Sequence, residues 1–238
     1  MTLTHFLVIG ANRGIGLELT HQLLQNPEHI VAATYRDPSK LGDLNTLLND
    51  RANNGRLVLV QLDMNDVGSC KSAAEEVRSN IGALDVVIVN AGVNMKATPL
   101  VTQNLDEVAN IFATNVLGPL RICQAFVPLL EGKSTPAKLA LISSEAGSIT
   151  VQKNLRSPAY GISKAALNMA GRKLAAELQS SNIIVALVHP GWVKTDMGGP
   201  NAQITPAESA VGILQVMEQL SMDNSGEFWV YNGEKHPW

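Results

Sequence analysis

The chain has 238 residues, 45% of them apolar and 16% charged, with a formal net charge of −3. That length suits one large α/β domain, residues 1–238, able to bury a sizeable core. The mild negative charge excludes a general attraction for nucleic acid or acidic membrane, and no apolar run approaches the ~20 residues that a membrane span needs.

Strand-like and helix-like patterns alternate along the chain. Phe6–Ile9 reads as a buried strand, followed by a helical segment over Ile15–Leu24. The alternation continues with strand Ile30–Thr34, helix Leu41–Arg51, strand Leu57–Gln61 and helix Val67–Asn80, with Asp66 as a cap signal. Strand Asp85–Val89 precedes two helices, Leu105–Leu117 and Leu120–Leu130. Strand Leu139–Ser143, helix Ala159–Gln179 and strand Ile183–Val188 follow, and Pro206–Leu220 and Glu227–Tyr231 close the series as helix and strand. Seven strands with intervening helices predict a doubly wound parallel sheet, because parallel neighbours need right-handed crossovers. The irregular stretches Ser148–Ser157 and Thr195–Thr205 follow strand ends on the side where such sheets bind ligands. With Met95–Pro99 they are candidate pocket walls, and Val93, Met95, Ile149, Val151, Trp192 and Met197 suggest a largely apolar small-molecule partner.

The opening MTLTHFLVIG lacks the pattern of a signal peptide. Cys70 and Cys123 have no C-x-x-C spacing, which favours buried thiols and a cytoplasmic location. The five histidines make no metal spacing, so no metal is expected.

GANRGIG follows the first strand and enters the first helix. Gly10 would permit a tight turn, Gly14 a close backbone approach to a pyrophosphate and Gly16 close helix–strand packing. A ligand-free tight turn is the plainer alternative. The second strand ends Thr34-Tyr35-Arg36, with no acid before Asp37. Arg36 and Arg13 therefore suit the 2′-phosphate of NADPH or NADP+ better than the free ribose of NAD, unless both are simply solvated surface side chains. Asp63 could accept from an adenine amino group, or cap the following turn in competition with Asn65 and Asp66.

Tyr160 and Lys164 lie at i and i+4 of a predicted helix and so share one face. An adjacent cation lowers the pKa of a phenol, ordinarily near 10. With Ser144 they form a proton-transfer set, Tyr160 as acid toward a developing alkoxide and Ser144 bonding the same oxygen. Ser143 would point to the other side of the strand end. Asn115 could hold a water that reprotonates Lys164, or could be a buried polar helix residue. His189, directly before Pro190, reads as a packed residue rather than a base.

GANRGIG, LDMND at Leu62–Asp66, VNAG at Val89–Gly92, Asn115 in TNVLG, SSEAG, YGISK and HPGWVKT together resemble the short-chain dehydrogenase/reductase family over Phe6 to Trp238. HPGWVKTDMGG and VYNGEKHPW are similar to its sniffer and C-factor type carbonyl reductases and to ketoreductases of fungal polyketide pathways. The resemblance implies a Rossmann fold with sheet order 3-2-1-4-5-6-7 and a catalytic set of Asn115, Ser144, Tyr160 and Lys164. It implies a cofactor site of Gly10, Asn12, Arg13, Gly14, Ile15, Gly16, Arg36, Asp63, Met64, Asn90, Ala91 and Gly92. Asn115, Tyr160, Lys164, Pro190, Gly191, Val193 and Thr195 complete it. This chain departs from the family pattern at Ile9, at Val89 and in a longer Ser144–Tyr160 interval.

The expected activity is NADPH-dependent reduction of a ketone or aldehyde. The alternatives are reduction of a C=C bond or a cyclisation at the same site, or a cofactor-binding regulator without turnover. Apolar and small residues on the helices Leu120–Leu130 and Ala159–Gln179 suggest a homodimer or homotetramer. Trp238 is expected to dock near the loop after Thr195.

Overall fold

Phe6 of one strand lies beside Val86 of another, and Leu139 beside Val185, in a sheet whose seven strands all run parallel. The computed structural model describes residues 3–95, 97–152 and 157–238. The strands are β1 (Thr4–Ile9), β2 (His29–Tyr35), β3 (Leu57–Gln61), β4 (Val86–Val89), β5 (Ala137–Ile142), β6 (Ile183–His189) and β7 (Phe228–Val230). Their order is β3-β2-β1-β4-β5-β6-β7, as expected. The helices are α1 (Gly14–Leu24), α2 (Asp43–Asn49), α3 (Val67–Asn80), α4 (Leu105–Phe112), α5 (Gly118–Leu130), α6 (Pro158–Leu178) and α7 (Pro206–Gln219).

Alternation along the strands divides the core in two. Leu7, Val87, Leu139 and Val185 face one side, where Val77 of α3, Phe126 of α5 and Leu167 of α6 cover them. Phe6, Val8, Ile88 and Val188 face the other, against Leu19 of α1, Leu44 of α2 and Ile213 of α7. Both sheet faces are therefore dry, which is why the strands read as continuous apolar runs. The winding direction reverses between β1 and β4, leaving a crevice at their C-terminal ends.

Two helices differ from their sequence pattern. α2 covers only Asp43–Asn49 of the expected Leu41–Arg51. Gly42 at φ +48° stops it at one end, and at the other the Asp50 carboxylate accepts from the Ala52 N–H, starting a separate 3₁₀ turn. The helix expected over Leu105–Leu117 is α-helical only to Phe112 and then widens into a π turn, Ala113–Leu117, that runs into α5. Pro119 supplies no N–H to the preceding turn, so the regular ladder is interrupted there. The cap at Asp66 is as expected, and Thr205 starts α7 with a full capping box shared with Glu208. Among the described residues no helix is long and apolar enough to cross a membrane.

Candidate active site

A cleft of about 670 Å³ opens at the C-terminal ends of the strands. Its floor is the turn from β1 into α1. The Thr34 hydroxyl accepts from the Gly10 N–H at 2.9 Å, and the Asn90 amide donates to the Gly10 carbonyl at 3.0 Å. Gly10 sits at φ +79°, and a methyl group there would stand 2.8 Å from the Ala91 side chain. A methyl at Gly16 would lie 2.1 Å from the Gly10 carbonyl oxygen. No side chain caps the first turn of α1, so its backbone N–H groups are left for a ligand. This bare, glycine-lined helix start fits a pyrophosphate, whose charge the helix dipole favours.

Gly10, Asn12, Arg13, Gly14, Ile15, Arg36, Asp63, Met64, Asn90, Ala91, Gly92, Tyr160, Lys164, Pro190 and Thr195 all line this cleft. Gly16 lies behind the turn. Gly191, at φ +83°, packs on Ile204 and Tyr231, and buried Val193 bridges to Ile204. The cleft also takes in Lys40, Asn65, Thr114 and Lys194, which the sequence reading missed. Lys40 had a legible signal, four residues beyond Arg36 in the same β2–α2 connection. Arg13 pairs with Asp196 at 2.7 Å, both exposed, so one expected phosphate ligand already faces a carboxylate. Of the three candidates for capping α3, Asp66 does so, while Asp63 accepts from the Asn65 N–H at 2.9 Å.

Deeper in the cleft, the Lys164 ammonium is buried and donates to the Ile142 carbonyl at 2.8 Å. It stands 5.7 Å from the centre of the Tyr160 ring. The Ser144 hydroxyl hydrogen-bonds the Tyr160 phenol and accepts from the Ala146 N–H. Burial dominates the acid–base balance. It pushes the phenol up to about 12, with the Ser144 bond offsetting part of the rise, and brings the ammonium down to about 8. The lowering expected from Lys164 is absent: removal from water raises the phenol, and the bond from Ser144 is what lowers it. Ser143 does point away, its hydroxyl bonded to Asn168 at 2.5 Å. Burial lowers His189 to about 4, so it stays neutral.

Asn115 is fully buried in the π turn. Its carbonyl accepts from the Val93 N–H at 2.9 Å, and its amide donates to the Val93 carbonyl at 2.8 Å and to Ser163 at 3.0 Å. It therefore clamps the chain just beyond β4. A methyl group at Gly92 would stand 3.4 Å from the Asn115 carbonyl and 3.6 Å from the Lys164 ammonium, so both polar groups converge there.

Of the expected pocket walls, Lys96 and residues 153–156 lie outside the described residues. Trp238 docks elsewhere than expected. Its backbone oxygen accepts from the Thr150 N–H at 2.7 Å, which ties it to the segment after Ser144 rather than to the loop after Thr195. A second cleft, about 700 Å³, opens at the opposite strand ends around Phe6, Gln22 and Lys138. There the Lys138 ammonium is occupied by the Met217 carbonyl at 2.6 Å.

The family described as short chain dehydrogenase matches residues 4–204. The "C-signal" protein of Myxococcus xanthus is 39% identical over 157 residues, 66% of this chain and 94% of that protein. An NADPH-bound carbonyl reductase from chicken fatty liver superposes with a TM-score of 0.92 at 35% identity, covering 100% of both chains. The carbonyl reductase Sniffer of D. melanogaster does so with a TM-score of 0.93 at 28% identity, again over 100% of both.

Proposed function

Because this chain belongs to the short chain dehydrogenase family, we propose that it is an NADPH-dependent reductase of ketones or aldehydes. The observation that carries this reading is that Tyr160 and Lys164 open onto the same cleft as the bare, glycine-lined start of α1. Gly10, Gly14 and Gly16 would let the pyrophosphate approach the backbone. Arg36, Arg13 and Lys40 would face the 2′-phosphate, and Asn90, Ala91, Gly92, Val193 and Thr195 would line the remainder. NADPH, when bound, supplies the hydride that reduces the carbonyl carbon.

The proton comes from this chain's own residues. With its phenol held near 12, Tyr160 keeps its proton throughout neutral pH and can give it to the alkoxide formed from the carbonyl oxygen. Ser144 bonds the phenol and is placed to bond the same substrate oxygen. The Lys164 ammonium stabilises the phenolate left behind, which regains its proton from water. Asn115 acts by fixing Val93 and Ser163, the backbone and side chain that flank this group.

The whole chain is read as one cofactor-binding domain working in the cytoplasm. Half-exposed Ile162 and Met169, 60% exposed, continue an apolar stripe on α6 that suits pairing of two chains. The test of the activity is NADPH consumption, followed by absorbance, across ketones, aldehydes and quinones. Turnover of at least one class is expected. Tight NADPH binding with turnover of none would replace the enzyme with a cofactor-binding regulator.

A further inference from the structure

β7 pairs on one edge with β6, and the chain beyond it folds back along β7 itself. The Val230 N–H donates to the Glu234 carbonyl at 2.8 Å, and the His236 N–H to the Phe228 carbonyl at 2.7 Å. Trp229 and Lys235 form an antiparallel bridge. The turn places the Trp238 ring against that of buried Phe228, 5.5 Å between centroids and 28° between planes. Only 39% of Trp238 stays exposed.

From that anchored position the tail reaches across to the segment that leaves Ser144. The buried Ser148 hydroxyl donates to the Pro237 carbonyl at 2.7 Å, and the Thr150 N–H donates to Trp238 at the same distance. One residue earlier, Gly147 presses on α6 so closely that a methyl there would lie 2.6 Å from the Lys164 backbone. The segment is thus held between the helix that carries Tyr160 and Lys164 and the tail. Ile149, 83% exposed, and Val151, 40% exposed, are apolar groups carried by this segment.

We propose that Pro237 and Trp238 are positioning residues for the substrate wall. By seating Ser148 and Thr150 they hold Ile149 and Val151 where a bulky apolar carbonyl compound lies beside Tyr160. The physical reason is preorganisation. A loop fixed by two backbone-directed hydrogen bonds and a ring stack loses little freedom when substrate binds. Without them, that ordering is subtracted from substrate affinity, and a small substrate that does not reach the wall notices nothing. The proposal rests on the reductase reading above.

The experiment compares wild type with Trp238→Ala, Ser148→Ala and the conservative Trp238→Phe. Hydrogen exchange of the full chain should show faster exchange at residues 145–152 in both alanine variants, with β-strand amides and NADPH affinity unchanged. Trp238→Phe should restore protection. In NADPH-dependent reduction, KM for phenanthrenequinone should rise roughly five- to tenfold, while kcat/KM for propionaldehyde stays within about twofold. Unchanged exchange at residues 145–152 would overturn the proposal, as would a KM rise equal for both substrates. If wild type reduces neither these two compounds nor any other ketone, aldehyde or quinone, the reductase reading fails, while the exchange result still decides whether the tail seats the segment.

Discussion

The Lys164 ammonium lies 5.7 Å from the centre of the Tyr160 ring, yet its hydrogen bond runs to the Ile142 carbonyl at the end of β5. Helical spacing brings the two side chains to one face, and the C-terminal end of the interior strand β5 then takes the cation. Both groups sit out of water, and both prefer to be neutral there: the phenol holds its proton up to about 12 and the ammonium gives its own up at about 8. That preference suits a proton donor, because the phenol is loaded whenever a carbonyl arrives.

Burial of Lys164 has a consequence for stability. Its folded value of about 8 lies below the ordinary 10.5, so between those values the unfolded chain holds a proton that the folded chain has released. Stability therefore rises with pH through that window, and below it the fold carries the full cost of a buried ammonium. Lys164→Met should resist denaturant better than wild type at pH 7, by on the order of 2–3 kcal/mol. The advantage should be much smaller at pH 10 and vanish above 10.5, where the wild-type lysine is neutral in both states. Tyr160 works the other way, its raised value costing stability from pH 10 upward, and does so equally in both proteins. Urea titrations at the two pH values check this.

Cofactor choice depends on competition for Arg13. The Asp196 carboxylate occupies its guanidinium at 2.7 Å, and an incoming 2′-phosphate would have to displace it. The pair is solvent-exposed, so its own strength is small. Asp196→Asn should tighten NADPH severalfold and leave NADH unchanged, whereas Arg36→Asp should move preference toward NADH. Fluorescence titration of both cofactors measures each effect. Equal wild-type affinities for NADPH and NADH would remove the 2′-phosphate role from Arg13 and Arg36.

The glycine cradle admits no side chain at Gly16. A methyl group 2.1 Å from the Gly10 carbonyl must push α1 away from the turn. Gly16→Ala should lower the melting temperature, at a cost of roughly 1–3 kcal/mol of overpacking, and weaken NADPH binding at least tenfold. Calorimetry with and without cofactor separates the two.

The strand positions, the glycine turn and the pairing of Tyr160 with Lys164 were legible because each follows from local period and spacing, whereas the strand order came only from the resemblance to the short-chain dehydrogenase/reductase family. What escaped was set by distant contacts. The π turn at Asn115 arises from Pro119 together with a clamp on Val93, 22 residues away. Arg13 meets Asp196 across 183 residues, and the tail finds Ser148 across 89. The direction of the Tyr160 shift was misjudged for the same reason. Spacing reveals a neighbouring cation, while the depth of burial that raises the phenol belongs to the folded molecule.

The stripe on α6 predicts pairing of chains. Met169 is 60% exposed and lies along the same helix as Ile162, with half-buried alanines between them that allow close helix approach. Light scattering at micromolar concentration should give about twice or four times the 25.4 kDa chain mass. Met169→Glu should shift the particle toward one chain. A monomer in the wild type would contradict the pairing.

The most direct test of the account is the turnover of Tyr160→Phe with a carbonyl compound that wild type reduces, measured beside its NADPH affinity. The ring and its packing remain while the transferable proton is gone. The account predicts a fall in kcat of roughly 10²–10⁴-fold with NADPH affinity unchanged. Near-normal turnover would place the proton donor elsewhere and contradict the assignment of Tyr160.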